Sequence, residues 1–313
     1  MVINCVSKEF SDASRHLVAA ERIFLSLPKA SPEGGIPVHS PHHSLALDLP
    51  AYTTPMNPTE RFHNRAENYH AHRPRYTAEL LHLLQTECGL VASSVIADVG
   101  SGTGILTELF LGNGNRVYAV EPNAAMREFA ERHLVKDPHF TSVAATAEET
   151  TLPDASVDFV VAGQAFHWFD RAKAGAEFMR ILRPNRWIVL VWNERLTDNS
   201  AFAAAYEDLL LEHSVDYARV DPKQLSGDPA AVQEFFQQRA KAALYRHSMV
   251  LDFEQLSGLL CSASYTPPIG DARHGPMMEA LRRVFLDHQT EGTVRLEYAM
   301  KVYYGRRFDP EPK

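Results

Sequence analysis

A short apolar run that ends in three glycines constrains this 313-residue chain more than any other feature. Residues 95–99 are apolar and rich in β-branched side chains apart from Asp98, and glycines follow at positions 100, 102 and 104. This run predicts a buried parallel strand that enters a tight turn. Helical spacing over residues 105–111 and a second apolar run at 117–120 complete a βαβ unit. Glycines at alternate positions let the backbone approach a ligand, so the unit predicts a nucleoside-binding crevice.

The residue that follows the second apolar run narrows the class of ligand that the crevice can bind. Glu121 stands at the carboxyl end of that strand, where a carboxylate can accept hydrogen bonds from two ribose hydroxyls. The dinucleotide pattern G-x-G-x-x-G would need a glycine at position 105 or 107, but Ile105 and Thr107 stand there. The spacing therefore argues against a nicotinamide dinucleotide.

The pattern D-x-G-x-G-x-G over residues 98–104 resembles the first motif of the class I S-adenosylmethionine (SAM)-dependent methyltransferases. The resemblance implies SAM as cofactor, with Asp98 at its methionine end, Glu121 at its ribose, and Gly100, Gly102 and Gly104 beside it. It also implies an α/β fold, a doubly wound Rossmann-like sheet of seven strands with helices on both faces. That sheet is expected to be mostly parallel, with its last strand antiparallel.

Two further segments resemble methyltransferase type 11 domains, in the group that includes trans-aconitate methyltransferases. In residues 145–161 the resemblance implies that Ala147 and Glu148 lie beside the adenine. Residues 163–170 contain the sequence HWF directly after an apolar strand. Ligands of open α/β sheets bind at the carboxyl ends of the strands, so Gln164 is predicted to contact the cofactor and His167 the substrate. A structural role for His167, stacked against Trp168, stays open.

The resemblance extends upstream of the first strand. Phe62, Tyr69, Arg73, Pro74 and Tyr76 form the pattern F-x6-Y-x3-R-P-x-Y, which in these enzymes closes over the cofactor. The resemblance implies that Tyr69 covers the sulfonium end and that Arg73 pairs with the methionine carboxylate. The alternative for Arg73 is an ordinary surface charge at the start of a helix.

A later segment, residues 262–268, resembles a serine-and-tyrosine turn of the trans-aconitate-like group. Its Tyr265 hydroxyl can hold a carboxylate or orient a nucleophile. A turn that only hydrogen-bonds its own backbone is the alternative interpretation.

The chain divides into three predicted regions. Residues 1–55 are expected to be a flexible extension, because seven prolines fall between positions 28 and 58; within it, residues 11–27 have amphipathic helical spacing. Residues 56–194 form the SAM-binding core, and Met56 is the hypothetical true start. Residues 195–313 supply a helical lid and C-terminal strands of the same sheet. Strands are predicted at 187–192, 244–251 and 294–304, and helices at 253–261 and 279–288.

The turn before the strand at 187–192 departs from the family pattern. The family has glycine after the proline that corresponds to Pro184, but here Asn185 and Arg186 follow. Asparagine tolerates the left-handed backbone conformation, whereas arginine is less suited to it.

Composition limits the classes of partner and the cellular compartment that are expected for this chain. A net charge of −8 argues against a nucleic-acid substrate, and no run of about 18 apolar residues indicates a membrane span. Three separated cysteines, at positions 5, 88 and 261, suggest no disulfide framework and a cytoplasmic location. The histidines at 39, 42 and 43 lack a carboxylate or cysteine to complete a ligand set, so no metal is predicted.

These observations predict a SAM-dependent methyltransferase that acts on a small-molecule acceptor, with carboxylic acids as one candidate class. His167 and Tyr265 are the candidate catalytic residues. His167 would orient an acid acceptor, and would act as base for a hydroxyl or an amine because histidine normally titrates near neutral pH. Two alternatives remain, a catalytically silent SAM-binding or partner-binding module and an NAD(P)-dependent oxidoreductase. The acceptor and the oligomeric state stay open.

Overall fold

The computed structural model describes residues 66–215, 217 and 228–306. Its strands are β1 (Val95–Val99), β2 (Arg116–Val120), β3 (Phe140–Val143), β4 (Val157–Gly163), β5 (Leu182–Arg195), β6 (Lys241–Leu251) and β7 (Val294–Gly305). Its α-helices are α1 (Ala66–His72), α2 (Ala78–Cys88), α3 (Ile105–Gly112), α4 (Ala124–Leu134), α5 (Arg171–Ile181), α6 (Ala201–His213), α7 (Pro229–Phe235), α8 (Phe253–Cys261) and α9 (His274–His288). A 3₁₀ turn, Phe166–Trp168, follows β4.

All seven strands belong to one sheet, in the order β3-β2-β1-β4-β5-β7-β6. The strands β1 to β5 pair in parallel, and β7 runs antiparallel to both β5 and β6. The predicted Rossmann-like sheet, mostly parallel with an antiparallel last strand, is confirmed. The order reverses between β1 and β4, which is where ligands bind in open sheets of this kind.

Burial on both faces explains why the central strands read as continuous apolar runs. Side chains alternate along a strand, so Ile96 and Phe159 pack on one face with α2, α3 and α4. Ala97 and Val160 pack on the other face with α5 and α7. Neither face of β1 or β4 meets water, and this burial removes the polar positions that a half-exposed strand would show.

A third layer is built from helices that follow β5. Its core contains Phe202, Tyr206, Leu209 and Leu210, the four residues that share one face of α6, and all four are buried. They cluster with apolar residues of α8, α9 and β7. The helix α8 has the predicted bounds because Asp252 and Gln255 form a reciprocal capping box at its start.

Element boundaries differ from the sequence-based expectation in α9 and in three strands: β5 begins at Leu182 rather than 187, β6 at Lys241 rather than 244, and β7 ends at Gly305 rather than 304. The helix α9 begins at His274 rather than 279, because its first turn contains Gly275 and Pro276, which sequence patterns treat as breakers. Proline is tolerated there since the first N–H groups of a helix have no partner inside it. The strand β5 extends beyond Trp192 to Arg195 because β7 pairs with it along that length.

Several predictions lie outside the described residues. These are the flexible extension at 1–55, its helix at 11–27, the start at Met56, and Phe62. Within the described part of the chain, no helix has the length and apolarity needed to cross a membrane.

The turn in β5 has the conformation expected from its asparagine. Asn185 has a φ of +60°, the left-handed region, whereas Arg186 does not have positive φ. We expect Asn185→Gly to leave stability unchanged or raise it slightly, and Asn185→Val to lower it by about 1–2 kcal/mol, because a β-branched side chain is strained at this φ. Urea unfolding of both variants checks this expectation. Equal stability of the two variants would contradict the strain argument.

Candidate active site

A cavity of about 410 Å³ lies at the carboxyl ends of the central parallel strands. Nine of the twelve residues predicted for the site line it, namely Tyr69, Arg73, Asp98, Gly100, Gly102, Glu121, Ala147, Glu148 and Gln164. Gly104, His167 and Tyr265 are not among its lining residues. The structure therefore brings together residues from α1, the loop after β1, the end of β2, and the loops on both sides of β4.

The three glycines after β1 have different surroundings although all have positive φ. A Cβ on Gly100 would lie 2.6 Å from the Cβ of Ala165, so Gly100 lets the loop after β4 pack closely. A Cβ on Gly102 would contact only the Met126 sulfur, at 3.7 Å, and would otherwise project into open space. A Cβ on Gly104 would lie 2.9 Å from Leu134, so this glycine serves the packing of α3 against α4 and not the cavity.

Glu121 connects the glycine turn to the start of α4. Its Oε2 accepts a hydrogen bond from the N–H of Gly102 and its Oε1 accepts one from the N–H of Asn123, both at 2.8 Å. Burial raises the pKa of Glu121, and these two backbone donors oppose the shift. A carboxylate has about four acceptor positions, so two remain for hydroxyl donors of a ligand.

Asp98 is completely buried at the base of the cavity. Its Oδ2 accepts a 2.6 Å hydrogen bond from the Thr107 hydroxyl, while its Oδ1 has no hydrogen-bond partner among the described residues. Burial raises the pKa of Asp98 to about 7, although the Thr107 hydrogen bond opposes the shift. A buried, unpaired carboxylate oxygen is costly, and a cationic ligand group would compensate it.

The segment around α1 covers one side of the cavity. The Arg73 guanidinium lies over the Tyr69 ring, 4.9 Å from its centroid, and donates to the Ser262 carbonyl oxygen at 3.4 Å. The Nε of Arg73 is buried with no hydrogen-bond partner within the described chain. The hydroxyl of Tyr76 lies against Gly163 at the end of β4, where a Cβ would be only 2.3 Å away. Burial raises the pKa of Tyr76 well above its usual value, so its hydroxyl stays protonated.

The opposite side of the cavity carries the residues predicted to contact an adenine. Ala147 is buried, and Glu148 is half-buried and accepts a 2.9 Å hydrogen bond from the Asp170 N–H. The buried side chain of Met126 also lines the cavity. An apolar side chain and a carboxylate on the same wall are the groups that can pack on a ring and accept from its amino group.

Gln164 and Asn193 join the loop after β4 to β5. Gln164 has a φ of +56°, and its Nε2 donates to the Asn193 carbonyl oxygen at 3.0 Å. The Asn193 side chain donates to the Arg75 carbonyl oxygen at 3.3 Å, and its Oδ1 lies 3.0 Å from the Nε2 of His247. Asn193 thus holds the segment after α1 against the sheet.

His167 is not among the lining residues of the cavity. Its ring packs against Trp168, with centroids 4.6 Å apart, and its Nδ1 is buried with no hydrogen-bond partner among the described residues. Burial lowers the pKa of His167 to about 4, so it is a weak base at neutral pH. The stacking on Trp168 agrees with the structural alternative, and desolvation of the ring is the cause of the lowered pKa. Contact of His167 with the substrate stays a prediction.

Tyr265 also lies outside the cavity. Its ring packs edge-on against Tyr217, with centroids 4.7 Å apart. Nearby, the Arg195 guanidinium lies 4.9 Å from the centroid of Tyr206 and donates to Glu207 at 2.5 Å. The Nη1 of Arg195 is buried without a hydrogen-bond partner in the described part of the chain. We call Arg195 with Tyr206, Tyr217, Tyr265 and Tyr298 the arginine–tyrosine cluster.

Other residues line the cavity that were not among the predicted site residues: Pro74, Tyr76, Ser101, Thr103, Ile105, Leu106, Pro122, Asn123, Met126, Thr146, Gly163, Ala165, Trp168, Phe169 and Asn193. Asn123 carried a detectable signal, because it caps α4 by accepting from the Met126 N–H and stands two residues after Glu121. Asn193 carried no such signal in the sequence, because its position in the cavity depends on the pairing of β5 with β7.

The residues present fit the nucleoside and the amino-acid part of SAM. The unpaired Oδ1 of Asp98 suits a cationic ammonium group, and the open space at Gly102 admits a ligand close to the backbone. Thr103, whose buried hydroxyl has no hydrogen-bond partner in the described chain, offers a further polar contact. The fit rests on this donor and acceptor set.

Comparison with known proteins identifies the central region. Residues 97–190 match the family model described as a methyltransferase domain. An uncharacterized methyltransferase of Mycobacterium tuberculosis is 39% identical over 127 residues, which are 41% of this chain and 49% of that protein. An uncharacterized methyltransferase of Schizosaccharomyces pombe is 33% identical over 134 residues, 42% of this chain and 51% of that protein. The chain thus spans about half the length of the curated relatives it matches.

Two solved structures share the fold. One, from Anaeromyxobacter dehalogenans, is described as a proposed type II methyltransferase; it is 25% identical with a TM-score of 0.55 and covers 75% of this chain and 97% of its own. Another, described as a proposed methyltransferase of an antibiotic biosynthesis pathway from Anabaena variabilis, is 21% identical with a TM-score of 0.50 and covers 75% and 99%. The matched domain and this fold support a class I methyltransferase.

The pKa of Asp98 predicts how ligand affinity depends on pH. An ammonium group attracts the ionised carboxylate, so the affinity for S-adenosylhomocysteine (SAH), measured by calorimetry, should rise between pH 6 and pH 8. Asp98→Asn should bind SAH more weakly and remove this rise. An unchanged pH profile in the variant would contradict the assignment of Asp98.

The same pKa affects the stability of the free protein. The folded pKa of about 7 lies above the ordinary value of 3.8, so the contribution of Asp98 to stability is complete below about pH 4 and is lost as the pH rises through 7. Thermal unfolding of Asp98→Asn should show a smaller decrease over this window than the parent protein.

Gly100 and Gly102, two of the three glycines that line the cavity, give a matched pair of variants. Gly102→Ala should lower SAH affinity more than tenfold, because its Cβ would enter the ligand space, and should cost about 1 kcal/mol of stability because of its positive φ. Gly100→Ala should cost more stability, because its Cβ would clash with Ala165. Calorimetry and urea unfolding separate the two effects, and equal stability losses would be inconsistent with this difference.

Proposed function

We propose that this chain, whose residues 97–190 match a methyltransferase domain, is a SAM-dependent methyltransferase that acts on a small molecule. The observation that carries the proposal is the buried, unpaired Oδ1 of Asp98 in the same cavity as the glycine turn and Glu121. SAM supplies a methyl group activated by a sulfonium. The assignment to the trans-aconitate-like group and the cytoplasmic location stay predictions.

The proposed roles of the cofactor-binding residues follow from their positions. Asp98 binds the ammonium group, and Arg73, the residue that follows α1, binds the carboxylate of the methionine end through its guanidinium. Tyr69 holds that guanidinium by a cation–π contact. Glu121 accepts from the ribose hydroxyls with the acceptor positions that Gly102 and Asn123 leave open.

The remaining residues of the cavity hold the adenine and close the pocket. Met126 packs on the ring, while the backbone at Ala147 and the carboxylate of Glu148 bind its edge. Gln164 keeps the loop after β4 attached to β5 through its hydrogen bond to Asn193. Gly104 supports the site indirectly, because it allows α3 to lie close to α4.

We place the acceptor between the cavity and the arginine–tyrosine cluster. Asn193 lines the cavity, and Arg195 projects from the same face of β5 two residues later, about 6.6 Å along the strand. The Ser262 carbonyl that accepts from Arg73 belongs to the turn that also carries Tyr265. The two regions are thus contiguous, and the helices α6, α8 and α9 serve as their lid.

The charges around this space favour an acceptor that carries a carboxylate. The buried Nη1 of Arg195 is a donor without a hydrogen-bond partner in the described residues, whereas the Arg73 guanidinium is assigned to the methionine carboxylate. Burial lowers the pKa of His167 to about 4 and the residue does not line the cavity, so His167 does not serve there as a base. A carboxylate is already ionised at neutral pH and needs none.

In the proposed methyl transfer, the residues of the chain act by positioning the acceptor. Transfer requires the acceptor oxygen about 3–3.5 Å from the methyl carbon and in line with the departing sulfur, in a site without water. Arg195 and Tyr265 orient the acceptor, and His167 supports Trp168, which lines the cavity. Tyr265 is the proposed contact with the substrate.

Methyl transfer to a defined panel tests this proposal. The full chain should bind SAH, and it should release SAH and form a methyl ester, seen by mass spectrometry, with small carboxylic acids but not with phenols or amines. SAH binding without turnover on any of the three classes would support a silent module instead. NADH binding without SAH binding would support an oxidoreductase.

A variant of Tyr265 tests the acceptor position. Tyr265→Phe should raise KM for the acid about 5- to 30-fold, the loss of one hydrogen bond to a charged group, with little change in SAH affinity. Tyr118→Phe is the matched control, because Tyr118 packs against a core cluster on β2 and does not line the cavity. Equal KM values for the two variants would remove Tyr265 from the site.

A further inference from the structure

Three helices bring two histidines and a glutamate together on the outer side of the cavity wall. His70 on α1, Glu108 on α3 and His133 on α4 form what we call the His–Glu–His cluster. The Nε2 atoms of His70 and His133 lie 3.4 Å and 2.9 Å from the Oε1 of Glu108. One ligand atom from each residue lies within 4.8 Å of the others.

The surroundings fix these side chains. His70 is buried, and its ring packs at 4.6 Å from the ring of His133 and 4.8 Å from that of Phe129. The other oxygen of Glu108, Oε2, accepts a 2.6 Å hydrogen bond from Arg75. Arg75 also donates to the His70 carbonyl oxygen at 3.0 Å. The Oε1 of Glu108 is therefore turned toward the two histidines.

The spacing suits a tetrahedral metal ion. Ligands at about 2.0–2.1 Å from a tetrahedral zinc ion are about 3.3 Å apart, and the two measured distances to Glu108 lie on either side of this value. Imidazole nitrogen and carboxylate oxygen are both zinc ligands. A hydrogen bond to the second oxygen of a ligating carboxylate, such as that from Arg75, orients the ligand.

We propose that the His–Glu–His cluster binds a divalent transition-metal ion of the zinc class, which fastens α1 to α3 and α4. His133 is about half exposed, so water has access to a fourth position. No metal was predicted from the sequence because the histidines at 39, 42 and 43 lack a completing ligand. The three residues of this cluster are far apart in the chain and share no motif. The helical packing alone brings them together.

Such an ion would act on the cavity through α1. Tyr69 and Arg73 flank His70 along this segment and line the cavity. α3 begins directly after the glycine turn, and α4 contains Met126, another lining residue. An ion that joins these three helices reduces the freedom of the cavity wall before a ligand binds, and this lowers the entropic cost of binding.

Metal titration of the full chain tests the proposal. The histidines at 39, 42 and 43 can bind metals weakly, so the parent for this experiment carries His→Gln substitutions at these three positions. After chelator treatment, it should bind one equivalent of Co²⁺ with the visible absorption of a four-coordinate ion, and Zn²⁺ should displace it. His133→Gln should lower Zn²⁺ affinity at least tenfold. The matched control is His82→Gln, at an exposed histidine on α2, and this variant should keep the Zn²⁺ affinity of the parent.

A second readout tests the link to the cavity. Zn²⁺ should raise SAH affinity in the parent and in His82→Gln, but not in His133→Gln or Glu108→Gln. Thermal unfolding of the metal-free variants checks that they remain folded; if His133→Gln does not, Glu108→Gln provides the same test. Absence of saturable Co²⁺ binding, or binding that His133→Gln leaves intact, would overturn the site. Zn²⁺ binding without an effect on SAH affinity would overturn the proposal that the ion holds α1 against α3 and α4 and so shapes the cavity. The metal-free protein should still bind SAH. A failure of the metal site would therefore leave the proposed function standing.

Discussion

The Glu121 carboxylate is the interaction on which the site depends. It receives one N–H from the turn after β1 and one from the start of α4, and these two loops enter the cavity from neighbouring strands. Without it, each buried N–H would lose its partner at a cost of about 1–3 kcal/mol. The same carboxylate keeps acceptor positions directed to the cavity. One buried charge therefore sets the distance between two loops and offers a contact to the ligand.

The sequence predicted the parts of the molecule that local chemistry determines. Apolar runs located β1 and β4, residue patterning located α8, and Asn185 adopted the left-handed conformation expected for it. The glycine motif and Glu121 predicted the floor of the cavity, because their roles depend on the backbone of one βαβ unit. These residues needed no knowledge of distant packing.

Other residues could not be assigned from the sequence because their surroundings come from distant elements. His167 stands two residues after the lining residue Ala165, yet it does not line the cavity, and burial lowers its pKa to about 4. Gly104 belongs to the same motif as Gly102, but it contacts Leu134 of a different helix. Asn193 enters the site because β5 is held in register by β7, a partner about 100 residues later in the chain. Motifs thus identify the ligand more readily than the groups that surround it.

The position of β7 in the sheet has a consequence for how the chain acquires its fold. The strand β6 precedes β7 in the chain, yet it joins the sheet only through β7, which lies between β5 and β6. During synthesis β6 therefore has no partner strand until residues 294–305 have emerged. Contacts over such long separations form slowly, because loop closure must come first. We expect nascent chains that end before β7 to contain the folded parallel strands β1 to β5 and an unpaired β6. An unpaired strand is prone to associate with other chains.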